Sequence, residues 1–303
     1  MTSPYPPTVE RRAAIVADVL RAYAAWGPGS VVGGEWNSIR REARQTLLTA
    51  LDAADASALD TILFNHVARV EWCGLWSPMQ VLEYDVATWA ALVGSQVSVD
   101  SLKDESGRFY PDTPRHDLDA RWLTGLGVRR VLEIGGGYGG LALRLLQHRP
   151  AIRCVDIDLA DTLYLAYGFL AARLPAGAVT LGYDPGAAIS LVPDCRVPTE
   201  ALGAFDVAVN FRSFGEMGRD DVARYFALIE ALAPPVVVHE NAALRPADEP
   251  DTTHVSHPEL LIADYPPLPS YTVRAQTVPP WIAGQSRYIR QKLVRHRGAP
   301  SWG

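Results

Sequence analysis

Residues 128–146 read VRRVLEIGGGYGGLALRLL, and this stretch decides the fold. VRRVLEI (128–134) is an apolar run of strand length. GGGYGG (135–140) is a turn in which five of six residues are glycine. LALRLLQHR (141–149) carries its leucines at helical spacing. A buried strand running through a glycine-rich turn into a helix is the ligand-binding crossover of a doubly wound α/β sheet. Glycines suit the turn because the backbone must bend tightly and let a ligand approach with no Cβ in the way.

The same alternation continues downstream. AIRCVDI (151–157) reads as a strand and DTLYLAYGFLAARL (161–174) as a helix. Either VTLGY or AISLVP supplies the third strand, FDVAVNF (205–211) the fourth and PPVVVHE (234–240) the fifth. DDVARYFALIEAL (220–232) is a helix with two acids where its dipole favours them. YTVRAQTV and SRYIRQKLVRH supply the last two strands. Upstream, Val9 to Trp26 has helical spacing, GPGS breaks it, and Ile39 to Leu63 is helical with Asp55 or Ser57 as an internal cap. The stretch KDESGRFYPDTPRHD (103–117) is polar with Gly and Pro, and reads as a linker. The expected division is a helical cap domain over residues 1–110 and an α/β domain over residues 115–303.

The chain has 303 residues, a net charge of −6 and 48% hydrophobic residues, which is enough apolar surface for a core. Its 28 basic residues include only two lysines, Lys103 and Lys292, and no basic face is apparent, so a nucleic-acid partner is not expected. No apolar run approaches membrane-spanning length and no secretory signal opens the chain, so no membrane partner and a cytoplasmic location are expected. Cys73, Cys154 and Cys195 are too dispersed for a disulfide framework or a CxxC metal site. Homo-oligomerisation stays open.

Gly135, Gly137 and Gly140 satisfy GxGxxG, which admits a dinucleotide. Glu133 two residues before the first glycine gives instead the ExGxGxG form of class I methyltransferases, whose cofactor is S-adenosylmethionine. There Glu133 holds the amino-acid end of the cofactor. Asp156, 21 residues after Gly135, lies where an acid accepts hydrogen bonds from ribose hydroxyls, with Ile157 beside it. Gly136 and Tyr138 in the turn are expected to contact the cofactor, and Asp184 or Asp194 to border the adenine.

VLEIGGGYGGLA, VDIDLADTLYLAYGFLA, VNFRSFGEM and RYFALIEAL together resemble the bacterial sugar O-methyltransferase family. The residues that carry the resemblance are Glu133, Gly135, Gly137, Tyr138, Gly139, Asp156, Asn210, Ser213, Glu216 and Met217. They lie within residues 120–245, and SFGEM is the discriminating piece. The segment DIDLADT departs from the family, which has Pro after the acid. The resemblance implies a class I methyltransferase (Rossmann-like) doubly wound sheet, preceded here by an all-helical domain. It implies transfer of a methyl group to a hydroxyl of a small polar acceptor, a sugar or a glycosylated secondary metabolite. N-methylation, intramolecular attack on the cofactor's own carbon chain, and cofactor binding without catalysis remain open. Asn210 and Ser213 would shape the reacting end.

An aliphatic hydroxyl is a poor nucleophile, so a general base helps. The candidates are Glu216, His239, Glu240, His254 and His257. His239 follows an apolar run that ends at the active edge of the sheet, but a core histidine reads equally well. Asp251, His254 and His257 have no specific metal-ligand spacing, and no metal is assigned. Trp72, Trp76 and Trp89 read as core, and Arg40, Arg41 and Arg44 as a solvated helix face.

Overall fold

The computed structural model describes residues 7–28, 41–64, 112–244, 260–279 and 288–296. Its chain order is α1 (Val9–Trp26), α2 (Arg41–Asp52), α3 (Ala56–Phe64), α4 (Asp112–Gly125), β1 (Arg130–Ile134), α5 (Gly140–His148), β2 (Arg153–Asp158), α6 (Ala160–Ala171), β3 (Val179–Leu181), β4 (Ile189–Pro193), α7 (Thr199–Leu202), β5 (Val207–Phe211), α8 (Arg219–Leu232), β6 (Val236–Ala242), β7 (Tyr271–Thr277) and β8 (Tyr288–Arg295). The strands form one eight-stranded sheet in the order β3-β4-β2-β1-β5-β6-β8-β7. Strands β1 to β6 pair in parallel, while β8 is antiparallel to both β6 and β7. A parallel sheet closed by one inserted antiparallel strand is the class I methyltransferase form of the Rossmann-like sheet. Both candidate third strands are present, as β3 and β4.

From the parallel neighbours β1 and β5 the successive strands are laid down in opposite directions across the sheet. Ligands of open α/β sheets gather beyond the strand ends at such a switch point. The strands read as near-continuous apolar runs because both faces of the sheet are covered. One face packs Leu132, Ile134, Ala208 and Val237 against Val222, Phe226 and Ile229 of α8. The other packs Val131, Val207 and Val238 under α4, α5 and α6.

All twelve residues of α6 are buried. A helix apolar on every side needs cover on every side. The sheet covers one side of α6, and α1, α2 and α3 cover the other: Ile15, Val19, Leu47, Leu59 and Leu63 share one core with Leu163, Tyr164 and Leu170. Burying each such side chain contributes about 1.5–3 kcal/mol. The Tyr164 hydroxyl, donating to the Gly27 carbonyl at 2.9 Å, pins the end of α1 to α6. Asp55 caps α3 by accepting the backbone N–H groups of Ser57 and Ala58 at 3.1 and 3.0 Å.

Two expectations fail here. Residues 112–117, read as linker, are the opening turns of α4. Arg44, read as a solvated side chain, forms an ion pair with the buried Asp161 at the start of α6. Trp72, Trp76 and Trp89 lie outside the described residues. Among those residues no helix is long and apolar enough to cross a membrane.

Candidate functional site

The switch point is occupied by the glycine-rich turn, and each glycine in it answers a different constraint. Gly135 (φ +72°) donates to the Ile157 carbonyl at 2.8 Å, and a Cβ there would stand 2.0 Å from the Ser213 hydroxyl oxygen. A Cβ on Gly136 would stand 2.4 Å from an Asp156 carboxylate oxygen. These two glycines make room for the protein's own side chains. Gly137 (φ +61°) has nothing within 4 Å of its would-be Cβ, so the backbone here is open to an approaching group.

Two carboxylates take the N–H groups of this turn. Asp156 accepts from Gly136 at 3.1 Å, and Asp158 accepts from Gly137 at 2.9 Å. They differ in exposure. Asp156 is fully buried, with one oxygen lacking any hydrogen-bond partner, whereas Asp158 ends β2 half-buried and also accepts from Leu159 at 2.7 Å. The expectation that Asp156 meets ribose hydroxyls is therefore corrected: it lies beneath Gly136, and Asp158 is the acid at the strand's open end. Ile157, between them, turns its side chain into the opposite core, and its carbonyl accepts from Gly135 of the turn.

Glu133 is the register partner of Asp156 on β1 and is also buried. Burial, reinforced by Asp158 and opposed by Arg115, pushes its carboxyl up to about 8. Burial and then Glu133 and Asp158 push Asp156 well above the carboxylate range. The Cys154 thiol lies 3.8 Å from Glu133. Glu133, Asp156 and Asp158 thus cluster three carboxyl groups at the ends of β1 and β2, the first two held toward their neutral forms by burial.

Asn210 and Ser213 brace the turn from below. The Asn210 amide donates to the Ile134 carbonyl at 2.9 Å and bonds Ser213, while its oxygen accepts from Phe214 and from Asn241. Asn210 is buried, so it supports the turn from beneath. Tyr138, expected against the cofactor, has its side chain against α4 and α6. Its hydroxyl lies 3.3 Å from His116 Nδ1, and its ring meets Phe169 edge-on at 5.0 Å. Asp194 follows β4, but its side chain is 1% exposed and pairs with Arg224 on α8 at 3.2 Å.

Glu216 sits half-buried in a 3-10 turn, Phe214–Glu216, just beyond the end of β5. His239 and Glu240 are adjacent on β6 and therefore face opposite sides. His239 lies between the rings of Phe214 and Tyr265, at 6.4 and 5.8 Å, and is 2% exposed. Burial, partly offset by a hydrogen bond with Gln291, lowers its pKa to about 4. It is a core histidine, which corrects its place among the candidate bases. Glu240 is fully buried and bonds Arg290 at 2.6 Å and Arg212 at 3.5 Å. His254 and His257 lie outside the described residues.

The sequence reading missed α4. Arg115, His116 and Asp119 are buried on it. Arg115 approaches His116 Nε2 at 3.2 Å, and since a guanidinium only donates, Nε2 accepts and His116 carries its proton on Nδ1, toward Tyr138. Burial, with Arg115, Arg144 and Arg212 adding to it, holds His116 neutral. Asp119 bonds Arg290 at 2.6 Å, and burial raises it to about 6. Arg212 holds φ +73°, a strained conformation for a non-glycine residue, directly after β5.

No protein family matches the chain by sequence, and no curated protein matches it. Solved structures do align. One is the mitomycin 7-O-methyltransferase MmcR, with 15% identity over 94% of this chain and 94% of that one and a TM-score of 0.43. The glycopeptide N-methyltransferase MtfA gives 16% identity over 59% of this chain and 90% of that one, with a TM-score of 0.41. Magnesium protoporphyrin IX methyltransferase from Synechocystis PCC 6803 gives 14% identity over 69% of this chain and 90% of that one, with a TM-score of 0.41. The assignment of the fold rests on strand order and direction.

Proposed function

We propose that the protein is an S-adenosylmethionine-dependent O-methyltransferase acting on a hydroxyl of a small polar acceptor, with a sugar or glycosylated metabolite as the leading class. The observation that carries the cofactor class is what the turn's N–H groups already do. A pyrophosphate site needs them aimed at phosphate. Here Gly136 and Gly137 donate to Asp156 and Asp158, so these N–H groups are already taken, and the half-buried Asp158 at the turn's edge repels pyrophosphate and suits a cationic ligand. S-adenosylmethionine brings a sulfonium and an ammonium.

The residues fit such a ligand. The open backbone at Gly137 leaves room for it, Asp158 would accept from ribose hydroxyls, and Glu133 would take the ammonium. When bound, the cofactor supplies an already activated methyl carbon. The protein's task is then to hold the acceptor oxygen in line behind that carbon and to take its proton. Glu216, at the end of β5, is the base this reading prefers. The sugar class rests on the SFGEM segment and its family resemblance.

The test is acceptor-dependent formation of S-adenosylhomocysteine, using a panel of sugars and glycosides with labelled methyl donor. Label appearing in a methyl ether supports the reading. Steady release of methylthioadenosine without any acceptor contradicts it.

A further inference from the structure

We propose that Asp156 is a specificity-determining residue: it shares one proton with Glu133 in the free protein, and that proton is given up in exchange for the ammonium of a ligand's amino-acid end. The proposal rests on the cofactor reading above.

Glu133 and Asp156 are register partners on adjacent parallel strands, so their side chains leave the same face of the sheet about 4.8 Å apart. Both are buried, and few donors reach them. Gly136 serves one oxygen of Asp156, the other oxygen has no partner, and the Cys154 thiol lies near Glu133. Two neighbouring carboxylates out of water and so thinly solvated do not both ionise; they titrate as a pair.

The other groups acting on the pair do not relieve it. Asp158, from the end of β2, and Asp119, from α4, add negative charge; Arg115, also from α4, opposes them. The Cys154 thiol is held protonated by burial and by both acids. A proton is therefore the counter-charge of the empty pair. An ammonium placed against Glu133 supplies that charge instead. It keeps its own protons, and the shared proton leaves for solvent, so charge balances and no bond to carbon changes. A ligand with the same nucleoside but no ammonium has nothing to exchange.

The experiment is titration calorimetry of the full chain at pH 7 in phosphate and in Tris, whose ionisation enthalpies differ. S-adenosylhomocysteine is expected to release close to one proton per molecule bound, and 5′-methylthioadenosine close to none. Affinity for S-adenosylhomocysteine is expected to rise by about tenfold or more from pH 6 to pH 8. Asp156→Asn keeps an oxygen for the Gly136 N–H and removes one acid of the pair, so Glu133 titrates lower, and proton release at pH 7 and the pH dependence both fall below those of the unaltered protein. Should that variant not fold, the two ligands on the unaltered protein decide the matter. Binding of S-adenosylhomocysteine with equal heats in both buffers overturns the proton exchange and leaves the cofactor reading standing. Release of the same proton by methylthioadenosine also overturns it. Failure of S-adenosylhomocysteine to bind at all overturns the cofactor reading, and this proposal with it.

Discussion

The Asp158 carboxylate accepts the backbone N–H of Gly137 at 2.9 Å. That bond ties the end of β2 to the turn after β1 and places a half-buried carboxylate beside the turn glycine whose would-be Cβ meets nothing. Asp158→Ala is expected to weaken S-adenosylhomocysteine binding at least tenfold, about 1.4 kcal/mol. Calorimetry checks this, and unchanged affinity would remove Asp158 from the site.

Gly136 and Gly137 should fail in different ways. Gly136→Ala drives a Cβ into the Asp156 carboxylate, 2.4 Å away, inside the buried layer. The expected cost is about 1–3 kcal/mol of folding stability, read from urea unfolding. Gly137→Ala meets no atom, so beyond about 1–2 kcal/mol of strain at its positive φ its larger effect falls on ligand affinity.

His239 predicts an acid-side loss of stability. Its native pKa of about 4 lies below the ordinary 6.5, so the unfolded chain binds the proton first. Its contribution is therefore complete above about pH 6.5 and declines from there to about pH 4, with a slope of up to about 1.4 kcal/mol per pH unit. His239→Gln should remove that slope from urea midpoints across this range while leaving methyl transfer measurable. An equal slope in the variant would mean that another group carries it.

Arg290 neutralises two buried carboxylates, Asp119 and Glu240, each at 2.6 Å. Arg290→Met leaves both acids without that cation. Breaking a buried ion pair from one side costs about 3–5 kcal/mol, and the loss should be seen as a lowered denaturant midpoint. A loss under about 1 kcal/mol, the range of exposed pairs, would mean that the acids are solvated.

Glu216→Gln is expected to lower kcat by about 10²–10⁴-fold, the range for a general base, with S-adenosylhomocysteine affinity unchanged. A kcat within threefold of the parent would move the base elsewhere.

The turn and the strands around it were legible because a parallel sheet covered on both faces writes its strands as apolar runs and its crossovers as helical patterns. Helix α4 was not legible, because Arg115, His116, Asp117 and Asp119 are among its buried residues and no apolar stripe marks its inner face. The acids of β2 were legible as a set but not by role. Asp156 and Asp158 share one face by parity, and only the register against Glu133 shows that one lies under the turn and the other at its edge. His239 and Glu240 follow a run of valines with no polar alternation, so nothing in the sequence says which faces which layer. The brace formed by Asn210, Ser213 and Asn241 needs the pairing of β5 with β6, which is absent from local pattern.

The most direct measurement is isothermal titration of the purified protein with S-adenosylhomocysteine, run beside NADH. Carboxylates seated on the Gly136 and Gly137 N–H groups predict micromolar binding of S-adenosylhomocysteine and none of NADH. Binding of NADH, or of neither ligand, would contradict the account.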